Sequence, residues 1–495
     1  MAGLGPEGTT ASIERAHRAL TLNSQRKAAA AVVALVVVLA GVLSYLVFTT
    51  TSSNPHASGS PSGCTASFPA AVDTPASGNA TAGNWTTYHG SPSRSGFLPM
   101  AGVTAVHPQW AGPVGLDGQV YAEPLTCGNA VFVATEGDSI YAVNATNGNV
   151  LWKTNLGVPV PGSALPCGDI DPSGITGTPV IDVATGTIYA VAFVNPGQHV
   201  LFGVNLENGS VKSHLVVDAA GADPLVEQQR GALLLDQGVV YIPYGGLDGD
   251  CGQYHGWVVG ASTDGSGTLL SYQVPTGREG GIWGTAGIAL GPNGDLYVAT
   301  GNSEATTTFD YGDAVIELSP SLSVLDYFAP TNWAQLNSGD IDLGSVAPTI
   351  LPNGDVFQIG KEGVGYLLSG SHLGEIGGQL FNESICGGGY GGTATVGRSV
   401  LVPCNDGLVR VDVGASNFSV AWTASGFDAG SPIVTGDTVW SVNISTADLL
   451  GFNLSTGELT YSFALGSVDH FITPGAAPGT LFVGAGSQLY SFVLE

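Results

Sequence analysis

From residue 84 onward, short apolar runs alternate with Gly, Asn-Gly and Asp-Gly punctuation, and no stretch carries a helical period. One unit recurs: SIYAVNATNGNVLWKTNLG from Ser139, HVLFGVNLENGSVKSHLVV from His199, and DLLGFNLSTGELTYSFALG from Asp448. Each reads as a strand, a tight turn ending in Gly148, Gly209 or Gly457, and a second strand; glycine supplies the positive φ such turns need. A further hairpin precedes the first two units, EPLTCGNAVFVATEG and TPVIDVATGTIYAVAF. Four strands repeating at roughly 40–60 residues make a propeller blade.

With the strands of a blade lettered A to D, A strands are predicted near Ala122, Thr178, Ala232, Ala286, Ala347, Thr393, Pro432 and Thr473. The fold class is therefore all-β, an eight-bladed β-propeller. The eighth blade runs out of chain after its C strand, at residues 488–493. Its D strand is expected from PQWAGPVG, residues 108–115, which resembles VLWKTNLG and VAWTASG. Closing the ring this way removes the exposed sheet edges. The tether to anything upstream would then leave from the closing blade.

Upstream, residues 28–48 are uncharged and strongly apolar, long enough to span a bilayer as a helix. Arg15, Arg18, Arg26 and Lys27 precede them and orient the N-terminus to the cytoplasm. A cleaved signal peptide is the rival reading. Its apolar core is roughly 7–15 residues and ends at a small-residue site. This run is longer and no convincing A-x-A follows Phe48, so an uncleaved transmembrane anchor is expected. Residues 49–83, rich in Ser, Thr, Pro, Gly and Ala, read as a flexible linker. The expected order is a cytoplasmic tail (1–27), a transmembrane helix (28–48), a linker (49–83) and a propeller (84–495) outside the plasma membrane.

A formal charge of −27 with only 12 Lys and Arg excludes nucleic acid as a partner, because phosphate binding needs a basic surface. An acidic exterior suits a cationic or neutral ligand, or an acidic or salty medium; it also serves plain solubility. The six cysteines suit disulfides outside the cytoplasm. Because strands in a blade alternate in direction, segments before A and after B share one face of the ring. The A–B and C–D turns share the other. This rule pairs Cys386 with Cys404 and Cys167 with Cys251, and leaves Cys127, on the opposite face, for Cys64. His255 and His470 stand isolated and no spacing suggests zinc. There is no G-x-S-x-G and no phosphate-binding glycine loop.

The repeat YAVNATNGNVLW resembles that of the quinoprotein, or PQQ-repeat, eight-bladed propellers. These include pyrroloquinoline-quinone alcohol dehydrogenases and the outer-membrane assembly propeller. The resemblance spans about residues 84–495, and some segments match in more detail. GGIWGTAGIALGPNGDLYVATGN (280–302) resembles the dehydrogenase segment in which a Trp stacks on the quinone and an Asn ligates calcium, implying Trp283 and Asn302. YFAPTNWAQLNSGDIDLGS (327–345) resembles the segment with the catalytic aspartate, implying Asp340 or Asp342. GKEGVGYLLS (360–369) implies Lys361 as the basic contact to the quinone oxygens. GGLDGDCGQYHGWVVG (245–260) sits where the family places a glutamate calcium ligand, and offers Asp248 or Asp250.

The strand rule puts all these residues on one face, around one mouth of the central channel. A hard cation there would take carboxylate and amide oxygens. A nearby carboxylate could serve as general base on an alcohol. The chain also departs from the dehydrogenases: it has no adjacent cysteine pair and no C-x-x-C-H for haem. Each candidate has a purely structural reading as well: Trp283 packing between blades, Asn302 shaping a turn, Asp340 and Asp342 capping a loop, Lys361 solvated. Two functions are therefore expected. One is a membrane-anchored binding or scaffolding module for a small molecule or surface protein, needing no cofactor. The other is a PQQ- and calcium-dependent dehydrogenase oxidising an alcohol or sugar.

Overall fold

The structure is a computed structural model and describes residues 84–495. The expected anchor (28–48), the linker (49–83) and Cys64 lie outside the described residues. Among the described residues, no helix is long and apolar enough to cross a membrane.

The strands form eight separate sheets, each a blade. The innermost strands are Leu125–Cys127, Val180–Asp182, Leu234–Asp236, Ala289–Leu290, Thr349–Ile350, Ala394–Val396, Ile433–Thr435 and Gly475–Ala477, close to the predicted positions. Second strands such as Ala130–Thr135 are buried throughout, because blades pack on both of their faces, and so they read as unbroken apolar runs. Outer strands such as Leu269–Gln273 alternate exposed and half-buried residues, as a strand with one wet face must. A seven-residue helix, Trp333–Gly339, interrupts the all-β pattern.

The ring closes as expected. The last strand, Gln488–Leu494, pairs with two early pieces, Val106–Pro108 and Val114–Gly115, in the registers Pro108↔Phe492 and Val114↔Leu489. Trp110 lies between those pieces. Its indole N–H donates to Ala145 O at 3.2 Å, in the C–D turn of blade one. Trp152 does the same to Leu206 O of blade two at 3.0 Å, and Trp422 to Leu454 O of blade seven at 2.9 Å. A Cβ on Gly148, Gly209 or Gly457 would fall 2.9, 2.7 or 2.6 Å from a ring atom of the respective tryptophan. The repeated turn glycine therefore does two jobs. It adopts a positive φ, and it leaves a seat for the neighbouring blade's indole.

The path of the chain before the closing strand corrects the expectation that the tether leaves from the closing blade. The described chain begins at the inner edge of blade one, where Asn84 Oδ1 accepts from Gly128 N–H and Trp85 bridges to Thr126. It then crosses the hub. Thr86 O accepts from Ile181 N–H in blade two, and Pro92 O from Leu290 N–H in blade four. Ser95 O accepts from Thr395 N–H in blade six, and Phe97–Leu98 adds a parallel strand inside blade seven. Tyr88 packs at the centre against Ala232, Ala286 and Ala347. An eight-bladed hub lined by alanines leaves space that a close-packed interior must fill, and this segment fills it.

Two disulfides form as expected, Cys386–Cys404 and Cys167–Cys251, with Cα separations of 6.3 and 6.2 Å. Cys127 is disulfide-bonded as well.

Candidate functional site

The hub beneath the mouth is polar and closed. Glu123, 1% exposed, accepts from Trp85 Nε1–H and from His89 N–H, both at 2.7 Å. Arg94, 2% exposed, donates to Ile288 O at 2.9 Å, Leu233 O at 3.0 Å and Thr87 Oγ1 at 2.7 Å. Burial pushes Glu123 up to about 8 and Arg94 down to about 10. It also drives His89 down to about 3, so that ring is neutral. The mouth is therefore a cup with a floor rather than one end of an open pore.

On the side of blades three to five, the structure brings together Trp283, Asn302, Asp342 and Lys361. Lys361 Nζ lies 5.6 Å over the Trp283 ring. It is clamped between Asp342 Oδ2 at 2.7 Å and Asp340 Oδ1 at 3.0 Å. Burial works against the Lys361 charge, but the two carboxylates outweigh it and hold its pKa above the ordinary value. Asp342 is buried, and its other oxygen accepts the Asn302 N–H at 2.6 Å. Burial raises its pKa while Lys361 opposes the rise. Asp340 follows the short helix as its left-handed C-cap, at φ +51° with 63% of its side chain exposed. Of the two candidate bases, Asp342 is thus in the site and Asp340 on its rim.

The two candidate glutamate substitutes point to different neighbours. Asp250 Oδ1 accepts the Tyr254 hydroxyl at 2.5 Å. Asp248 sits in the electrostatic reach of Arg230 and His470 instead. The carboxylate next to Asn302 is Glu279, whose Oε2 accepts from the Asn302 amide at 3.4 Å. Glu279 also holds Arg278 at 2.5 Å, and Arg278 reaches Glu304 at 3.0 Å and the Asp250 carbonyl. Burial pushes Glu279 up to about 7 even with Arg278 beside it. Among the described residues, the one group of three His, Cys, Asp or Glu ligand atoms close enough to share an ion is Cys386, Cys404 and Asp406, and both sulfurs there are in a disulfide. Asp248, Asp250 and Asp342 do not bring three carboxylate oxygens within reach of one ion, while Asn302 lies between Asp342 and Glu279. The arrangement as it stands does not fit calcium, and Asp342 is not free to take a proton while Lys361 holds it.

Phe471 dominates the other side of the mouth. It precedes the A strand of blade eight and adopts φ +62°, a strained conformation for a bulky side chain. Its ring centre lies 6.0 Å from Trp283, 6.3 Å from Tyr390, 4.7 Å from His470 and 5.2 Å from the Arg230 guanidinium. It thus lies beside Trp283, with its ring tilted 51° to the indole. His470 is not isolated: Nε2 is 3.4 Å from Asp169, and burial with Arg230 nearby lowers its pKa. The His255 backbone bridges to Glu279, and its ring Nδ1 lies 3.4 Å from Thr276 Oγ1. Beyond Phe471 a cavity of about 320 Å³ opens between blades six, seven and eight.

Glu279, Arg230, Tyr390, Asp428 and Phe471 were not among the expected site residues. The strand rule reaches them nonetheless, since each precedes the A strand of its blade.

Residues 107–246 match the family model described as outer membrane protein assembly factor BamB. No curated protein matches the chain. Among solved structures, the quinohemoprotein alcohol dehydrogenase ADHIIG from Pseudomonas putida HK5 superposes with a TM-score of 0.64 at 13% identity, covering 83% of this chain and 80% of that one. A europium-containing methanol dehydrogenase gives 0.64 at 14% identity, covering 83% and 98%. BamB from Moraxella catarrhalis gives 0.54 at 12% identity, covering 79% and 98%. At such identities the likeness is one of fold, and that fold carries both dehydrogenases and an assembly factor.

Proposed function

We propose that this PQQ-repeat type of eight-bladed propeller is a binding module, held outside the cytoplasm by an anchor at residues 28–48, whose ligand enters the channel mouth. One observation carries the reading: Phe471 packs beside Trp283 while Lys361, Asp340 and Asp342 form a closed ion-paired clamp. The mouth is thereby divided into a filled half at blades three to five and an open half at blades six to eight. The strained Phe471 backbone supports a functional role, since such strain persists where the surroundings enforce it.

The second reading is the PQQ- and calcium-dependent dehydrogenase. It is favoured by the convergence of Trp283, Asn302, Asp342 and Lys361 on one mouth. It would require Phe471 to leave Trp283 and Asp342 to be released by Lys361. Incubating the detergent-purified full chain with PQQ and calcium, then gel-filtering it, separates the readings. We expect no quinone absorbance in the protein peak and no dye reduction with alcohols or sugars. Retained quinone with substrate-dependent dye reduction would overturn the proposal.

A further inference from the structure

We infer that the cavity beside Phe471 seats one neutral, hydroxyl-bearing ring, a sugar or cyclic polyol. The inference rests on the mouth being a binding site and names the chemistry of its ligand.

At about 320 Å³ the cavity lies at the small end of the range for small-molecule pockets, ~300–1,000 Å³. One wall is aromatic: Tyr390 and Phe471 lie within 24° of parallel. The polar lining comes from Asp428, Asn405 and the Tyr390 hydroxyl. None of these three side chains makes a hydrogen bond to another described residue, so their capacity is unspent. An apolar face beside unspent carboxylate, amide and hydroxyl groups matches a pyranose, which has C–H faces and an equatorial belt of hydroxyls. Carboxylates and amides accept from, and amides and hydroxyls donate to, such a belt.

Charge weighs against an anion, and the make-up of the aromatic wall against an organic ammonium. An anion would face the Asp428 carboxylate with no cation lining the cavity. An organic ammonium would look to the aromatic wall for cation–π attraction. The Phe471 ring already carries Arg230 at 5.2 Å, which leaves one ring of the wall, Tyr390, for that attraction. His470, with its pKa lowered by burial, adds a neutral polar edge.

Saturation-transfer NMR on the detergent-purified full chain tests this. The probes are the methyl glycosides of glucose, galactose, mannose and N-acetylglucosamine, with choline and succinate as charged comparators. We expect transfer to the ring protons of at least one glycoside. Tyr390→Ala should weaken its binding at least tenfold, and the isosteric Asp428→Asn at least fivefold. Glu458→Ala, in a C–D turn on the opposite face, should leave it within twofold. Absence of transfer to every glycoside, or transfer unchanged in both pocket variants, would overturn the inference. Tyr390-dependent transfer to choline or succinate would also overturn it while leaving the binding-module reading intact. Quinone retention bears on that earlier reading alone.

Discussion

Replacing Gly209 by alanine isolates what holds one blade to the next. Gly209 ends the C–D turn of blade two at φ +71°, and a Cβ there would lie 2.7 Å from Trp152 Cε3 and 2.6 Å from Thr154 Oγ1. Gly186, in the A–B turn of the same blade, has φ +60° and nothing within 4 Å of its would-be Cβ. Both substitutions force alanine into the left-handed region, at ~1–2 kcal/mol. Both regain ~0.4–1 kcal/mol from a stiffer unfolded chain. Gly186→Ala should therefore cost ~1 kcal/mol. Gly209→Ala must also push the indole aside, losing the Trp152 bond to Leu206 O, ~1 kcal/mol, and straining a packed ring, ~1–2 kcal/mol. Its total is ~3 kcal/mol. With an unfolding entropy of ~2.1 cal/mol/K per residue, the propeller (residues 84–495), roughly 400 residues, has ~0.9 kcal/mol/K at its midpoint. The expected falls in Tm are then about 3–4 °C for Gly209→Ala and about 1 °C for Gly186→Ala. Scanning calorimetry on the two variants side by side decides it. Equal falls would show that only φ matters and that the indole seat contributes nothing.

Three further outcomes follow from the buried charges and cysteines. Burial pushes Glu123 and Glu227 up to about 8 and Glu136 up to about 7, from an ordinary 4.5. A carboxyl raised on folding contributes its stability in full below its unfolded value and loses it as pH rises through the folded one. Tm should therefore fall steadily between pH 5 and pH 9, and a Tm that climbs across that window would contradict the assignment. Lys361→Met strands the buried Asp342 charge and should cost ~3 kcal/mol, with Asp342→Asn in the same chain recovering most of it. A loss below ~0.5 kcal/mol, the usual effect of a surface substitution, would return Lys361 to a solvated loop role. Non-reducing peptide mapping should join Cys386 to Cys404 and Cys167 to Cys251, and a Cys127–Cys167 peptide would break the layout.

The blades were legible because each is a local object. A turn glycine, a following tryptophan and two apolar runs recur wherever the same packing problem recurs, and the lack of a last outer strand pointed directly to residues 108–115. The hub segment was not legible for the opposite reason. Trp85 meets blade one, Phe97 meets blade seven, and Tyr88 and Arg94 each touch several blades, so no period links them. The strand rule gave the face of every site residue but not its neighbour across the channel. Phe471 meets Trp283 from four blades away, and nothing local encodes that contact. Asp248 and Asp250 were equivalent as letters. Gly249, at φ +91°, turns the chain between them and sends the two carboxylates to different partners.

The central claim is that the half of the mouth around Trp283 is closed and that binding belongs to the half around Tyr390. The most direct measurement is an experimental density map of the full chain prepared with PQQ, calcium and the tightest-binding methyl glycoside. The expected map has Phe471 in place beside Trp283, Lys361 paired with Asp342, and ring density against Tyr390 and Asp428. Quinone density stacked on Trp283, with Phe471 displaced and an ion at Asn302, would contradict it.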